Sequence, residues 1–223
     1  MVRIHSPRLA AVAEKLPRPF GILWATGSMA QRLKLNLGSG NHPLPGYVNV
    51  DRFGAPDVIH DLERFPWPWE TGSVEEIVLN HVLEHLGETT EAYFGVIKEL
   101  YRVAAPGATI RIVVPHPNHD DFISDPTHVR KVTPRGLELF SKAKNDEWAG
   151  TSLANTPLAR HLDVDLELVS VEYSVDEPWA SRLKNQEIGP DELAMAARQY
   201  NNVVKEIRMV IRVIKPEVPP RTT

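Results

Sequence analysis

The chain has 223 residues, a formal net charge of −4 at pH 7 and no cysteine. That length suits one α/β domain with a full core, and the absence of thiols excludes disulfides, thiol nucleophiles and cysteine-ligated zinc. The mild acidity gives no support to non-specific nucleic-acid binding, and no apolar run approaches the roughly 18 residues of a membrane span, so neither nucleic acid nor membrane is an expected partner.

The start of the chain lacks an apolar stretch followed by a small-residue cleavage site, and a cytoplasmic location is the expectation. Residues 1–32 are weakly patterned. Pro7–Leu16 predicts a short helix with proline in its first turn, ended by Pro17, Pro19 and Gly21, and the whole is read as an N-terminal arm or lid. The core is expected over 33–216. Strand-like segments follow at Leu33–Leu37, Tyr47–Val50, Asp57–His60, Glu76–Leu79 and Thr109–Val114, short and rich in Val, Ile and Leu. Such near-continuous apolar runs predict parallel strands buried on both faces.

Tyr93, Ile97, Leu100, Tyr101 and Ala104 share one helix face and predict a core helix, which Ala105-Pro106-Gly107 is expected to end. Residues 115–150 read as a long insertion facing a substrate, with a helix at Arg135–Lys142 opened by Thr133 as cap and Pro134 as first residue. Leu166–Val175 predicts a strand and Pro190–Tyr200 a helix. In the last strand, Glu206–Ile214, partial alternation fits an edge or antiparallel position, with Arg208 and Arg212 facing solvent. Residues 217–223 read as a loose tail.

The first strand runs into Gly38-Ser39-Gly40, and the second is followed by Asp51. Glycines let a backbone approach a ligand closely, and a carboxylate after the next strand can accept from a ribose diol. Together they suggest a nucleoside-containing ligand. A nicotinamide fingerprint wants a third glycine where Pro43 stands, and an acidic residue about 20 positions further on, whereas Asp51 comes earlier. Only six residues lie between Gly40 and Tyr47, too few for an ordinary crossover helix.

Four segments in this order resemble the class I S-adenosylmethionine (SAM)-dependent methyltransferases, of the small-molecule type. They are Leu35–Gly40; Val48–Asp51; His60-Asp61-Leu62 with Phe65–Pro68; and Ile77–Leu86 followed by Glu99–Gly107. The resemblance implies an α/β fold: a Rossmann-like, mostly parallel sheet with helices on both faces and an antiparallel last strand, in three layers. It implies that Gly38, Ser39 and Gly40 approach the methionine part of SAM, and that Asp51 binds the ribose. Asp61 and Leu62 would meet the adenine, with Asn80 and His81 at the methionyl end. The implied reaction is methyl transfer to a small-molecule hydroxyl or amine. A sulfonium methyl is already electrophilic, so alignment is the main task. A histidine base would help a hydroxyl acceptor. The candidates are His81 and His116, with Asp120 and His128 near the acceptor. The alternatives are a non-catalytic SAM-binding partner protein and a nicotinamide-dependent reductase.

Three other patterns have more than one reading. His81-Val82-Leu83-Glu84-His85 spells H-x-x-E-H, which on a helix would put two histidines on one face for zinc, but a third ligand has no motif. His116, His119, Asp120, Asp121, Asp125 and His128 could hold a divalent cation, although a polar substrate-facing loop without metal is preferred. Phe65, Trp67 and Trp69 form either an apolar wall beside the adenine or a rigid loop packed on the sheet.

Overall fold

The computed structural model describes residues 32–151 and 155–216. The arm expected over 1–32 and the tail over 217–223 fall outside these, apart from Arg32. Seven strands form one sheet: β1 (Leu33–Leu37), β2 (Val48–Asp51), β3 (Val58–Ile59), β4 (Val74–Asn80), β5 (Ala104–Pro115), β6 (Leu166–Val175) and β7 (Val204–Val213). Their order is β3-β2-β1-β4-β5-β7-β6. Neighbours from β3 to β5 pair in parallel, while β7 runs antiparallel to both β5 and β6. This is the expected mostly parallel, Rossmann-like α/β arrangement with an antiparallel last strand. That strand is inserted between β5 and β6 rather than placed at the edge.

Register explains which side chains form the core. Leu35 and Leu37 align with Ile77 and Leu79, these with Ile110 and Ile112, and these with Ile211 and Met209. All eight are at most 3% exposed. Helix α1 (Thr90–Val103) adds Val96, Ile97, Leu100 and Val103 to the same cluster. Burying one such aliphatic side chain is worth about 1.5–3 kcal/mol. The opposite face differs from the expectation of burial on both sides. It carries Lys34, Glu76, Arg111 and Arg212, joined as Lys34–Glu76 (3.4 Å), Arg111–Glu76 (2.8 Å) and Arg212–Glu167 (3.7 Å). Arg208 and Arg212 are exposed, as expected.

Two expected boundaries move for visible reasons. Ala105-Pro106-Gly107 does not separate helix from strand. Ala104 caps α1 and already pairs with Val74, and the turn is absorbed as an irregularity in which Gly107 takes φ +75°. The helix expected at 135–142 becomes α3 (Pro134–Glu138) and α4 (Lys142–Ala149). Thr133 caps the first and Ser141 the second, each hydroxyl accepting from a backbone N–H three residues on, while Phe140 drops into the core between them. Val132 and Leu137 are buried too. Three short helices complete the set, α2 (Asp120–Ile123), α5 (Leu158–Leu162) and α6 (Trp179–Lys184), together with α7 (Pro190–Gln199). No described helix is long and apolar enough to cross a membrane.

The parallel pair β1–β2 is joined without a helix. Only three residue pairs are in register, so the chain returns just about 10 Å before starting β2. Side chains hold the link in place. Asn36 Nδ2 donates to His42 O (3.1 Å) and to Asn49 Oδ1 (2.9 Å). Asn49 Oδ1 also accepts from Leu44 N (2.7 Å), and its Nδ2 donates to Asp57 Oδ2 (2.9 Å). Asn36 and Asn49 are both buried. Asn49→Ala would leave the Leu44 N–H and one of the two Asn36 amide protons unpaired, at a cost of about 2 kcal/mol. The expected outcome is a fall in Tm of about 4–8 °C, measured by calorimetry or circular dichroism.

Candidate cofactor and substrate site

The carboxyl ends of β1, β2 and β4 and the segment after β3 surround one cleft, whose lining includes Gly38, Asp51, Asp61, Leu62, His81 and Val82. Open α/β sheets bind ligands at this edge. Gly38 has φ +65°, and a Cβ there would stand 2.4 Å from Val82 Cγ2. Only glycine fits the turn and lets Val82 pack beneath it. Ser39 is buried and donates its backbone N–H to Val50 O (3.0 Å). Gly40 donates its N–H to Asp51 Oδ2 (2.8 Å), and Asp51 Oδ1 accepts from Phe53 N (2.9 Å). Each Asp51 oxygen thus makes one backbone bond and keeps a second lone pair for a ligand. Asp61 Oδ1 closes an Asx turn on Glu63 N (3.0 Å), with Arg64 at 3.8 Å from Oδ2.

The Trp loop resolves in favour of packing. Trp67 and Trp69 are buried and lie outside the cleft lining. Trp67 donates its backbone N–H to Glu99 Oε2 (2.6 Å) and its indole N–H to Leu62 O (3.0 Å). Arg102 donates to the carbonyls of Trp67 and Trp69 while pairing with Glu99. The loop's contribution to the site is indirect: it fixes the Leu62 carbonyl.

His81 follows β4 with φ +56°, a left-handed conformation costly for a residue with a Cβ. Its N–H donates to Val113 O (2.9 Å). The ring lies between two carboxylates, with Nε2 at 3.0 Å from Glu206 Oε1 and Nδ1 at 3.3 Å from Glu84 Oε1. Glu84 first, and then Glu206, raise the His81 pKa despite its partial burial. Carboxylates facing both ring nitrogens favour the protonated ring, which weighs against the expected role as a base. His116 is the reverse: burial, and then His119, lower its pKa. Its Nδ1, however, already accepts from Asn118 N (3.2 Å), so the neutral ring presents an Nε2–H donor rather than a free lone pair.

The remaining expected residues separate. Asn80 ends β4, exposed and outside the cleft lining. Asp120 is the first residue of a short helix capped by His119, and it binds Asn202 at both its N–H and its carboxylate (2.8 Å each). His128 stacks on Phe122 and tilts over the His85 ring, with centroids 4.6 Å apart. The H-x-x-E-H run makes no shared helical face. A single 3-10 turn spans Leu83–His85, so His81 reaches Glu206 while His85 reaches Thr127.

Sequence reasoning gave no role to His60 or Glu63, and weighed His85 only as one of the H-x-x-E-H histidines; all three line the cleft. Glu63 Oε1 accepts from Gly87 N (2.6 Å), tying the segment after β3 to the one after β4. His60 Nε2 is buried without a hydrogen-bond partner among the described residues. The only sequence signal for His60 was its place beside Asp61.

No protein-family model matches the chain, and no curated protein matches it. Solved structures do. A SAM-dependent methyltransferase from Archaeoglobus fulgidus aligns with a TM-score of 0.51 at 15% identity, over 81% of this chain and 86% of that one. YcgJ from Bacillus subtilis aligns at 0.47 and 13% identity, over 83% and 94% of the two chains. The 1,6-didemethyltoxoflavin-N1-methyltransferase of Burkholderia thailandensis aligns at 0.45 and 13%, over 82% and 71%. The chain is similar to each of these in architecture. Its fold is that of the class I SAM-dependent methyltransferases, and the Archaeoglobus likeness carries that statement.

Two substitutions check the strained turns. Gly38→Ala forces alanine into a left-handed turn against Val82 and is expected to lower Tm by about 2–8 °C. His81→Gly is expected to melt about 2–4 °C above His81→Ala, because only alanine keeps the strain.

Proposed function

We propose that the protein is a SAM-dependent methyltransferase acting on a hydroxyl or amine of a small molecule. The observation that carries the reading is the convergence of Gly38, Asp51, Asp61 and Leu62 on one cleft at the carboxyl edge of the sheet. The donor set fits the cofactor. Gly38 offers bare backbone, Asp51 keeps one lone pair on each oxygen for a ribose diol, and Asp61 lies beside the fixed Leu62 backbone for the adenine edge. SAM, when bound, supplies an electrophilic methyl group.

The chain's own residues align and hold. Asp51 and Asp61 are fixed by backbone N–H groups before any ligand arrives, so little ordering is left to binding. His81 lines the same cleft, its ring between the Glu84 and Glu206 carboxylates, which favour its protonated form. Neither His81 nor His116 offers a free lone pair, so transfer rests on orientation rather than on a strong base. Orientation alone lowers barriers by about 7–11 kcal/mol in well-aligned reactions. Asp120 serves to position its loop on Asn202.

Calorimetric titration with S-adenosylhomocysteine tests the ligand. Asp51→Ala and Asp61→Ala should each weaken binding about tenfold or more, since each removes hydrogen bonds to a charged acceptor. Preferential binding of NAD or NADP would overturn the reading. Methyl transfer from labelled SAM to a panel of small hydroxyl and amine compounds tests the reaction, and binding without transfer to any acceptor would point to a non-catalytic SAM-binding protein. With an acceptor in hand, His116→Ala should stay within about tenfold of the parent rate at saturating SAM. A loss of more than about a hundredfold would restore His116 as a base, because general-base catalysis is worth about that much.

A further inference from the structure

We propose that Glu84, His85 and His128 bind one divalent transition-metal ion of the zinc class, at the wall of the cleft. One oxygen of Glu84 and one ring nitrogen of each histidine lie within 4.8 Å of one another. Two ligands about 2.1 Å from a tetrahedral ion stand about 3.4 Å apart, so closing the set takes combined side-chain movements of up to about 1.4 Å.

The hydrogen bonds around the histidines leave the right atoms free. His128 Nδ1 stands 3.0 Å from the Phe122 carbonyl, which only accepts, so Nδ1 carries the proton and Nε2 the lone pair. His85 Nδ1 stands 3.0 Å from Thr127 Oγ1. The Thr127 hydroxyl has one proton and donates it to Asp125 Oδ1 at 2.6 Å. It therefore accepts from His85 Nδ1–H, and the lone pair of His85 is again on Nε2. Metal-binding histidines are oriented in this way, with the second nitrogen donating to a carbonyl or an acceptor side chain.

Glu84 supplies the second, independent observation. It is 0% exposed, and neither carboxylate oxygen has a hydrogen-bond partner among the described residues. His81 Nδ1 stands 3.3 Å from Oε1, a charge contact without hydrogen-bond geometry. A buried carboxylate in that condition costs free energy that a cation would offset. Asp125 Oδ2 stands 3.8 Å from His128 Nε2 but outside the three-residue set, so the fourth position is left to water. Two imidazoles with one carboxylate suit zinc, iron, cobalt or nickel rather than magnesium or calcium. The sequence reading divided these residues between two motifs and preferred no metal. The site takes Glu84 and His85 from one and His128 from the other.

Cobalt(II) titration of the apo full-length protein, freed of metal with chelator, is the test, and it needs no SAM. The expected result is saturation at one equivalent with visible d–d bands, displacement by zinc, and a Tm rise of about 5–10 °C in zinc at roughly a hundred times its Kd. His85→Ala and His128→Ala should each weaken cobalt binding by about tenfold to a hundredfold or more. Should either alanine variant fail to fold, His85→Asn and His128→Asn, which keep a polar side chain in place, are expected to show the same loss. Absence of one-equivalent binding by the parent overturns the proposal, as does undiminished affinity in the histidine variants.

Discussion

The pairing of the Asn36 and Asn49 side chains is the constraint on which the ligand edge of the sheet depends. Two adjacent parallel strands require the chain to travel back along its own direction, and a helix usually does this. Here a bare loop does it, with the backbone groups of His42 and Leu44 satisfied by two buried amides rather than by helical neighbours. The same Asn49 reaches Asp57 ahead of β3. The carboxyl end of β1 and the starts of β2 and β3 are therefore held by one polar cluster. Asp51 lies two residues beyond Asn49, and its carboxylate closes back on Gly40. The glycine turn and the carboxylate are a single hydrogen-bonded unit, built from the bottom of β2 upward.

Much of this architecture is readable in the residues. Leu33–Leu37 appears at the expected positions, and Leu166–Val175 likewise, because apolar spacing bounded by glycine, proline or charge is a local property. The core helix face of Tyr93, Ile97 and Leu100 is buried for the same reason. What escaped depends on partners distant in sequence. Ala104 joins the sheet because Val74 is there to receive it, against the local stop of proline and glycine. The charged face of the sheet is built from Lys34, Glu76 and Arg111, single residues within or beside apolar runs that become meaningful only once β1, β4 and β5 stand side by side.

The candidate site divides along the same line. Gly38, Asp51, Asp61 and Leu62 were legible because each sits at a fixed distance after a strand, and strand ends converge in this fold. The histidines were not. Whether an imidazole is an acid, a base or a ligand depends on what its two nitrogens meet. Glu206, Thr127, the Phe122 carbonyl and the Asn118 N–H answer that question from other segments. His81 illustrates the point: at the strand end it has the position of a base, and its two carboxylate neighbours favour its protonated form.

The loop between Gly40 and Asn49 also has no slack. His42, Leu44 and Tyr47 in it are each held by hydrogen bonds, so a single insertion or deletion would take the Leu44 N–H or the His42 carbonyl out of reach of its amide. Length in this stretch should therefore be invariant among proteins that share the asparagine pair. The connection from β6 to β7 is different. In it α6 buries none of its residues and α7 only Ala196. Homologous chains should accordingly differ in length there, far more freely than at the glycine turn, and that contrast offers a way to recognise them from sequence.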